Sequence, residues 1–91
     1  MRDTPATTVS LVYLARLREV FGASHERVEP PHEVTTVGAL REWLCTRGDV
    51  WARELAPDRA VRFAVNHDLA RPDTPIRAGD EVALFPPVTG G

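Results

Sequence analysis

The order of hydrophobic and polar positions predicts short strands around one main helix. Residues 9–15, VSLVYLA, are rich in β-branched and aromatic side chains, which favour a strand that is apolar on both faces. The segment is predicted to end with LREVFG at 17–22, where Gly22 is the last residue. HERVEP at 25–30 is typical of a second strand, which the prolines at 30 and 31 end. The two strands are predicted to form a hairpin from about residue 9 to 30.

The main helix is predicted over residues 37–47, with Thr36 as its N-cap and Gly48 directly after its last turn. Apolar residues at helical spacing form its inner face, and they are Val37, Leu40 and Leu44, with Trp43 beside them. A second, shorter turn of helix is predicted over residues 51–55.

The C-terminal half predicts two further strands and a short edge segment. VRFAVN at 61–66 alternates, so that Val61, Phe63 and Val65 are predicted to point inward. HDLARP at 67–72 is predicted to form a turn and a short edge segment, and AGD at 78–80 a turn. The last strand is EVALF at 81–85. Its inward side chains are predicted to be Val82 and Leu84, and its outward ones Glu81, Ala83 and Phe85.

This order of elements predicts an α+β roll, in which one mixed sheet carries the main helix on one face. The first and last strands are expected to pair in the middle of the sheet, and that pair would be parallel. We divide the chain into a flexible N-terminal arm at 1–8, a single domain at 9–85 and an extended C-terminal tail at 86–91.

Composition restricts the function classes. The chain has 91 residues, 43% of them hydrophobic, and a net charge of −2, so there is no basic excess for nucleic acid. No apolar run has the length of a membrane span, and MRDTPATT has no apolar region of a signal peptide. Cys45 is the only cysteine, so an internal disulfide is excluded and the cytoplasm is the expected compartment.

All eleven basic side chains are arginine. A genome rich in G and C explains this composition without any functional cause. Whatever its origin, the chain offers no side-chain amine, so an activated C-terminus could not be consumed by linkage to a lysine on its own copies.

Side chains that often carry chemistry have simpler explanations in this sequence. The three histidines, His25, His32 and His67, stand among polar neighbours and are predicted to be solvated. Cys45 follows the apolar stripe of the helix and is predicted to be a small core residue. Asp80 and Glu81 belong to a turn that leads into a strand. No metal ligands are predicted, since the sequence has no CxxC or HExxH motif.

The C-terminal segment Phe85-Pro86-Pro87-Val88-Thr89-Gly90-Gly91 is the most informative part of the chain. The two prolines remove two backbone donors and favour an extended tail that leaves the sheet. Such a tail reaches about 20 Å when extended. Because Gly90 and Gly91 have no side chains, the end can pass through a narrow channel and carry its α-carboxylate to a buried site in another protein.

The stretch GDEVALFPPVTGG at 79–91 resembles the C-terminal signature of the molybdopterin synthase small subunits, a family of sulfur carriers. AVNHDLA at 64–70 and VYLARLREVFG at 12–22 also match patterns of that family. The resemblance extends from about residue 9 to 91. It implies the ubiquitin-like β-grasp fold.

The resemblance also implies a mechanism. The carboxylate of Gly91 would be adenylated by an ATP-dependent activating enzyme and converted to a thiocarboxylate with sulfur from a donor protein. The tail would then enter the large synthase subunit, in a heterotetramer, and give its sulfur to cyclic pyranopterin monophosphate. The catalytic lysines of the family lie in the large subunit, so this chain would be a non-catalytic donor with no permanently bound cofactor. On the family pattern, Leu14, Leu69 and Phe85 would contact both partners.

Two other functions remain open at this stage. One is a sulfur carrier for thiamine, cysteine or tRNA thiolation pathways, against which FPPVTGG counts. The other is a ubiquitin-like modifier or a plain interaction module.

Overall fold

The computed structural model describes residues 8–87. In chain order its elements are β1 Val9–Tyr13, α1 Arg16–Phe21, β2 His25–Val28, α2 Val37–Cys45, α3 Asp49–Glu54, β3 Arg62–Val65, β4 Asp68–Ala70 and β5 Glu81–Phe85. The strands form one mixed sheet in the order β2-β1-β5-β3-β4. β1 and β5 pair in parallel at its centre, and the other neighbours are antiparallel. The predicted α+β roll with a central parallel pair is confirmed.

One face of the sheet, here called the inner face, carries the core. Alternate residues of the two central strands are completely buried on it, namely Val9, Leu11, Tyr13, Val82 and Leu84. The inner face packs against α2 through Val37, Leu40 and Leu44, as their helical spacing predicted. Phe63 of β3 is also buried, and Val61 and Val65 pack partly buried against the same core. The opposite face is here called the outer face.

The segment after β1 forms a helix that the hydrophobic pattern did not predict. β1 ends at Tyr13 instead of residue 15, and α1 then lies between the two strands of the predicted hairpin. Leu17 anchors this helix in the core, and Gly22 ends it in a left-handed conformation with φ 73°, where its N–H bonds to the carbonyl of Arg18. A helix of six residues is too short to show a helical period, which is why the sequence did not reveal it.

The main helix begins as predicted and ends early. The hydroxyl of Thr36 accepts a hydrogen bond from the N–H of Ala39 at 3.2 Å, which confirms the N-cap. The predicted end at residue 47 is wrong, because α2 ends at Cys45 and the hydroxyl of Thr46 donates to the carbonyl of Trp43 at 2.6 Å. Gly48 directly precedes α3 instead of following α2. The predicted short turn is therefore a helix of its own.

The strands β3 and β4 form a tight hairpin at the edge of the sheet. The predicted strand over 61–66 is shorter, Arg62–Val65, because Asn66 and His67 both have positive φ and form the two-residue turn. β4 is the short edge strand that the sequence predicted. Within residues 8–87, no helix is long and apolar enough to cross a membrane.

Candidate functional site

The last strand divides its side chains between the two faces of the sheet. Val82 and Leu84 have no exposed surface, whereas Glu81, Ala83 and Phe85 alternate with them and are partly exposed. Phe85 is paired with Arg62 of β3. The predicted outward direction of Phe85 is confirmed, and this residue is the last one before the tail.

A row of apolar side chains crosses the outer face. Register places Val12, Ala83, Ala64 and Leu69 side by side on four neighbouring strands. The middle of this row is made of small residues, so the face is shallow there. Leu69 ends the row on β4, and 68% of its surface is exposed. A large apolar side chain with this exposure indicates a contact surface when it belongs to a contiguous patch.

A strained turn places Leu14 next to the same patch. Its N–H donates to the carbonyl of Leu84 at 3.1 Å, which continues the parallel ladder one residue beyond β1 and brings Leu14 beside Phe85. The N–H of Leu17 closes the turn on the carbonyl of Leu14. Ala15 has φ 53° in this turn, a conformation that costs a non-glycine residue about 1–3 kcal/mol. Leu14 is 41% exposed.

The sheet therefore brings Leu14, Phe85 and Leu69 onto one face, although they come from three separate parts of the chain. Their contact with partner proteins stays a prediction. We call these residues together with the row Val12, Ala83 and Ala64 the docking face.

The tail begins at the end of this face. Pro86 and Pro87 follow β5 directly and are both half-buried. The predicted carrier residues Val88, Thr89, Gly90 and Gly91 lie outside the described residues. Their roles stay predictions, which rest on the sequence of the tail and on its attachment to a strand whose other face is core.

One partly buried polar network connects α3 and β2 to the core. Tyr13 has no exposed surface and its hydroxyl donates to Glu26 at 2.7 Å, and Arg47 also pairs with Glu26. Burial, and then the bond to Glu26, raise the pKa of Tyr13, while the Arg47 guanidinium lowers the pKa of the Glu26 carboxyl. The guanidinium lies 4.4 Å from the centre of the Trp51 ring. These shifts follow from structural contacts and indicate no reactive group.

A second network, which the sequence did not predict, lies beside the start of the tail. Glu54 of α3 is only 3% exposed and its carboxylate accepts from Arg16 at 2.9 Å. Arg59 and Arg53 reach the same carboxylate at 3.4 and 3.8 Å. Hydrogen bonding to Arg16 is the main cause that lowers the pKa of Glu54. In the sequence, Glu54 stands at helical spacing from Val50 and Trp51. This spacing is the signal that could have indicated a paired, buried carboxylate.

The remaining candidate residues are exposed or have local structural contacts. The histidines at 25, 32 and 67 are exposed, as predicted. Cys45 is half-buried, and its thiol lies 3.4 Å from the carbonyl of Leu55. The carboxylate of Asp80 accepts from the N–H of Arg77 at 2.8 Å, which is the predicted turn role. Across residues 8–87, no group of three or more His, Cys, Asp or Glu side chains could hold a metal ion.

A cleft of about 220 Å³ lies between α2 and the hairpin of β3 and β4. It is lined by apolar side chains and arginines, which are Val37, Gly38, Arg41, Val61, Arg62, Phe63, Ala70, Arg71 and Pro72. These residues include no nucleophile and no acid or base near neutral pH. This cleft therefore supplies no candidate catalytic group.

Comparison with known proteins identifies the family. The sequence model of the ThiS family matches residues 11–91, a range that includes the C-terminal Gly-Gly. The chain belongs to the ThiS family. Its ubiquitin-like β-grasp fold, predicted from the resemblance, is thereby confirmed.

Two relatives and one solved structure are similar to this chain over nearly its whole length. The molybdopterin synthase sulfur carrier subunit of Escherichia coli strain K12 is 40% identical over 83 residues, which are 91% of this chain and 99% of that protein. The protein of the same name from Haemophilus influenzae is 35% identical with the same coverage. The crystal structure of small archaeal modifier protein 1 from H. volcanii superposes with a TM-score of 0.76 at 27% identity, over 91% of this chain and 100% of that one.

Proposed function

We propose that this chain is the sulfur carrier subunit of a molybdopterin synthase and that the carboxylate of Gly91 carries the sulfur. The C-terminal Gly-Gly is the observation that carries this proposal, because it follows a double proline and lies within the range that matches the ThiS family. Relatives named as molybdopterin synthase sulfur carrier subunits, 35–40% identical, support the choice of pathway.

Charging the tail requires activation of a poor electrophile. A carboxylate oxygen of Gly91 attacks the α-phosphate of ATP on an activating enzyme, so that pyrophosphate leaves and an acyl adenylate forms. The donor protein supplies sulfur at the sulfide level, so that HS⁻ attacks the carbonyl carbon and AMP leaves with one oxygen of the former carboxylate. The product is a thiocarboxylate on Gly91. ATP is held by the activating enzyme in this scheme, and this chain contributes an accessible carboxylate.

Delivery of the sulfur depends on how far the tail extends from the sheet. The tail from Pro86 to Gly91 spans about 20 Å when extended, and its last two residues have no side chains to obstruct a channel. In the proposed synthase it enters the large subunit, where the thiocarboxylate gives its sulfur to cyclic pyranopterin monophosphate. Two sulfurs are needed for each product, which suits a heterotetramer with two small and two large subunits. The catalytic lysines belong to the large subunit.

The docking face supplies the binding surface for both steps. Phe85 is the last residue before the tail, so a protein that takes the tail must pass over this ring. Leu14 lies beside it and Leu69 is the most exposed large apolar side chain of the described residues. Since one face serves the activating enzyme and the large subunit, the two are expected to compete. Both encounters are expected in the cytoplasm.

An intact-mass experiment tests the proposal. The chain is incubated with the activating enzyme, ATP and a sulfur donor, and then with the large subunit and cyclic pyranopterin monophosphate. We expect the mass gain of one oxygen replaced by sulfur, and its loss on addition of the large subunit and substrate together. If the chain acquires sulfur but does not transfer it to cyclic pyranopterin monophosphate, the chain would be assigned to another sulfur pathway, such as thiamine, cysteine or tRNA thiolation.

A ubiquitin-like modifier is the second candidate function. The similarity to a small archaeal modifier protein of H. volcanii favours it. The same adenylated tail would then form amide bonds with lysines of other proteins. Because the chain itself has no lysine, such conjugates could not form through side chains of a second copy. The activated chain incubated with lysine-containing proteins distinguishes the cases, since a modifier produces covalent adducts of higher mass.

A further inference from the structure

Three arginines converge on one carboxylate near the start of the tail. Arg16 of α1, Arg53 of α3 and Arg59 of the following loop all lie within ion-pair distance of Glu54. Asp58, next to Arg59 in sequence, forms no ion pair with any of residues 8–87. Within that range, one negative charge therefore contacts three positive charges, which leaves a local excess of two positive charges. We call Arg16, Arg53 and Arg59 the tail-root arginines.

The tail-root arginines adjoin the docking face. Pro86, the first residue of the tail, lines a small cleft together with Arg16, Glu54 and Arg59. Arg16 also follows Leu14 by two residues across the strained turn at Ala15. A protein that covers Phe85 and receives the tail beyond Pro86 must therefore pass close to the guanidiniums of Arg16 and Arg59, and Arg53 contacts the same carboxylate as these two.

Stability of the fold alone does not explain three arginines here. Their side chains are 58%, 63% and 44% exposed for Arg16, Arg53 and Arg59, and ion pairs at such exposure contribute little. Arg16 already supplies two hydrogen bonds to the carboxylate. Arg53 adds only a contact at 3.8 Å. The buried carboxylate instead holds the guanidiniums in place, with their charge directed to solvent on a chain whose net charge is −2.

We propose that the tail-root arginines extend the docking face and bind an acidic surface of the large subunit around the opening that receives the tail. This inference rests on the proposed function. The apolar docking face supplies contact area, and the arginines supply attraction at longer range and orient the tail root toward the opening. Charge pairs of this kind mainly raise the association rate, and salt weakens their effect.

The test is the association of the full chain with the purified large subunit, followed at low and at high sodium chloride. The test variant is Arg53→Gln with Arg59→Gln. The matched control is Arg27→Gln with Arg77→Gln, which removes the same charge. The strand register places Arg27, and the turn before β5 places Arg77, near Glu81, at the opposite end of β5 from the tail. Neither arginine forms an ion pair within residues 8–87.

We expect the test variant to associate about tenfold more slowly than the wild type at low salt, and this difference to vanish at high salt. The control is expected to stay within about twofold of the wild type. Equal losses in both variants would show an effect of net charge alone and overturn the inference, as would a test variant that behaves like the wild type.

Folding is controlled separately. Arg53→Gln alone removes the weakest of the three contacts, and we expect an unchanged melting temperature with about a threefold slower association at low salt. Slower binding only in variants that melt earlier would mean that the arginines are structural. If the wild type does not bind the large subunit at all, the proposed function fails and this inference fails with it. If the wild type binds and the variants match it, only the inference fails.

Discussion

The two faces of the sheet are made by the same strands and differ sharply in packing. On the inner face, Leu11, Val82 and Leu84 are fully buried against the helices. On the outer face, the neighbouring positions in the same strands are small or partly exposed, as at Ala64 and Ala83, and Leu69 is 68% exposed. A single strand such as β5 therefore contributes to the core through alternate residues and leaves the others partly exposed on the opposite face.

The comparison explains how such a small domain can keep one face of its sheet available for a proposed partner. The fully buried side chains of the two central strands lie on one face, so substitutions on the other face are expected to cost less stability. Because β5 lies in the centre of the sheet and ends at Phe85, the tail leaves from the best supported strand of the fold. The predictions below separate the two faces, beginning with the largest expected effect.

Deletion of Gly91 should abolish sulfur transfer and leave the fold intact. The buried core lies between Val9 and Leu84, so the melting temperature should not change. The terminal carboxylate would end about 3.5 Å short of its site in the large subunit. Molybdopterin formation and thermal unfolding are measured on the same sample. Formation of product by the shortened chain would refute the role of the C-terminal glycine.

A carboxylate on the outer face should damage binding, and one on the inner face should damage folding. Phe85→Asp removes a ring whose burial in an interface contributes about 1.5–3 kcal/mol, and it adds the desolvation of a charge. We expect affinity for the large subunit to fall by about two orders of magnitude or more, at about 1.4 kcal/mol per factor of ten. The control, Leu84→Asp, buries an unpaired charge one residue earlier and should unfold the domain.

Melting temperature and affinity are compared for both of these variants. A Phe85→Asp chain that melts as early as Leu84→Asp would place Phe85 in the core. Unchanged melting together with unchanged affinity would make Phe85 an ordinary exposed apolar residue.

Loss of the Glu54 charge should produce a pH-dependent loss of stability. Glu54→Gln keeps the shape and removes charge-assisted bonds that contribute about 1–2 kcal/mol at neutral pH, at the low end because the arginines are half-exposed. The folded-state pKa lies below the ordinary 4.5. The stabilisation is therefore fully present above that value and disappears as the pH falls through the lowered pKa.

Urea unfolding of the wild type and of Glu54→Gln at pH 7 and at about pH 3 checks the direction of this pH dependence of stability. Glu26 also has a lowered pKa, but it is present in both chains and cancels in the difference. A difference between the two chains that stays constant with pH would show that the Glu54 charge contributes nothing to folding.

The smallest effect is expected for Cys45→Ser, which should still carry sulfur. Cys45 lies on α2, on the core side of the molecule, whereas the proposed sulfur is bound to the terminal carboxyl. Its half-buried thiol lies near the carbonyl of Leu55, so only a modest drop in melting temperature is expected. Sulfur loading is followed by intact mass. A folded variant that cannot be charged would move the carried sulfur from the tail to this thiol.

The sequence alone determined the parts of the fold that depend on local periodicity. The alternation in β5 predicted buried Val82 and Leu84 and an outward Phe85, and the spacing of Val37, Leu40 and Leu44 predicted the packed face of α2. The prolines and glycines of the tail likewise have the same backbone constraints in any fold. The family and the carrier function were implied by the resemblance of GDEVALFPPVTGG at 79–91 to the C-terminal signature of the family, a comparison that needs no coordinates.

Only the tertiary structure decided which distant residues meet. Helix α1 is too short to have a readable period, and it forms because Leu17 is buried in the core. The contact of Glu54 with Arg16 joins residues that are 38 positions apart, and no local pattern encodes that pairing. The docking face depends likewise on register, since Leu14 and Leu69 share a surface with Phe85 only after the parallel pairing of β1 and β5 and the hairpin of β3 and β4 have formed. Periodicity constrains the direction of each side chain, whereas long-range pairing of strands sets its neighbours.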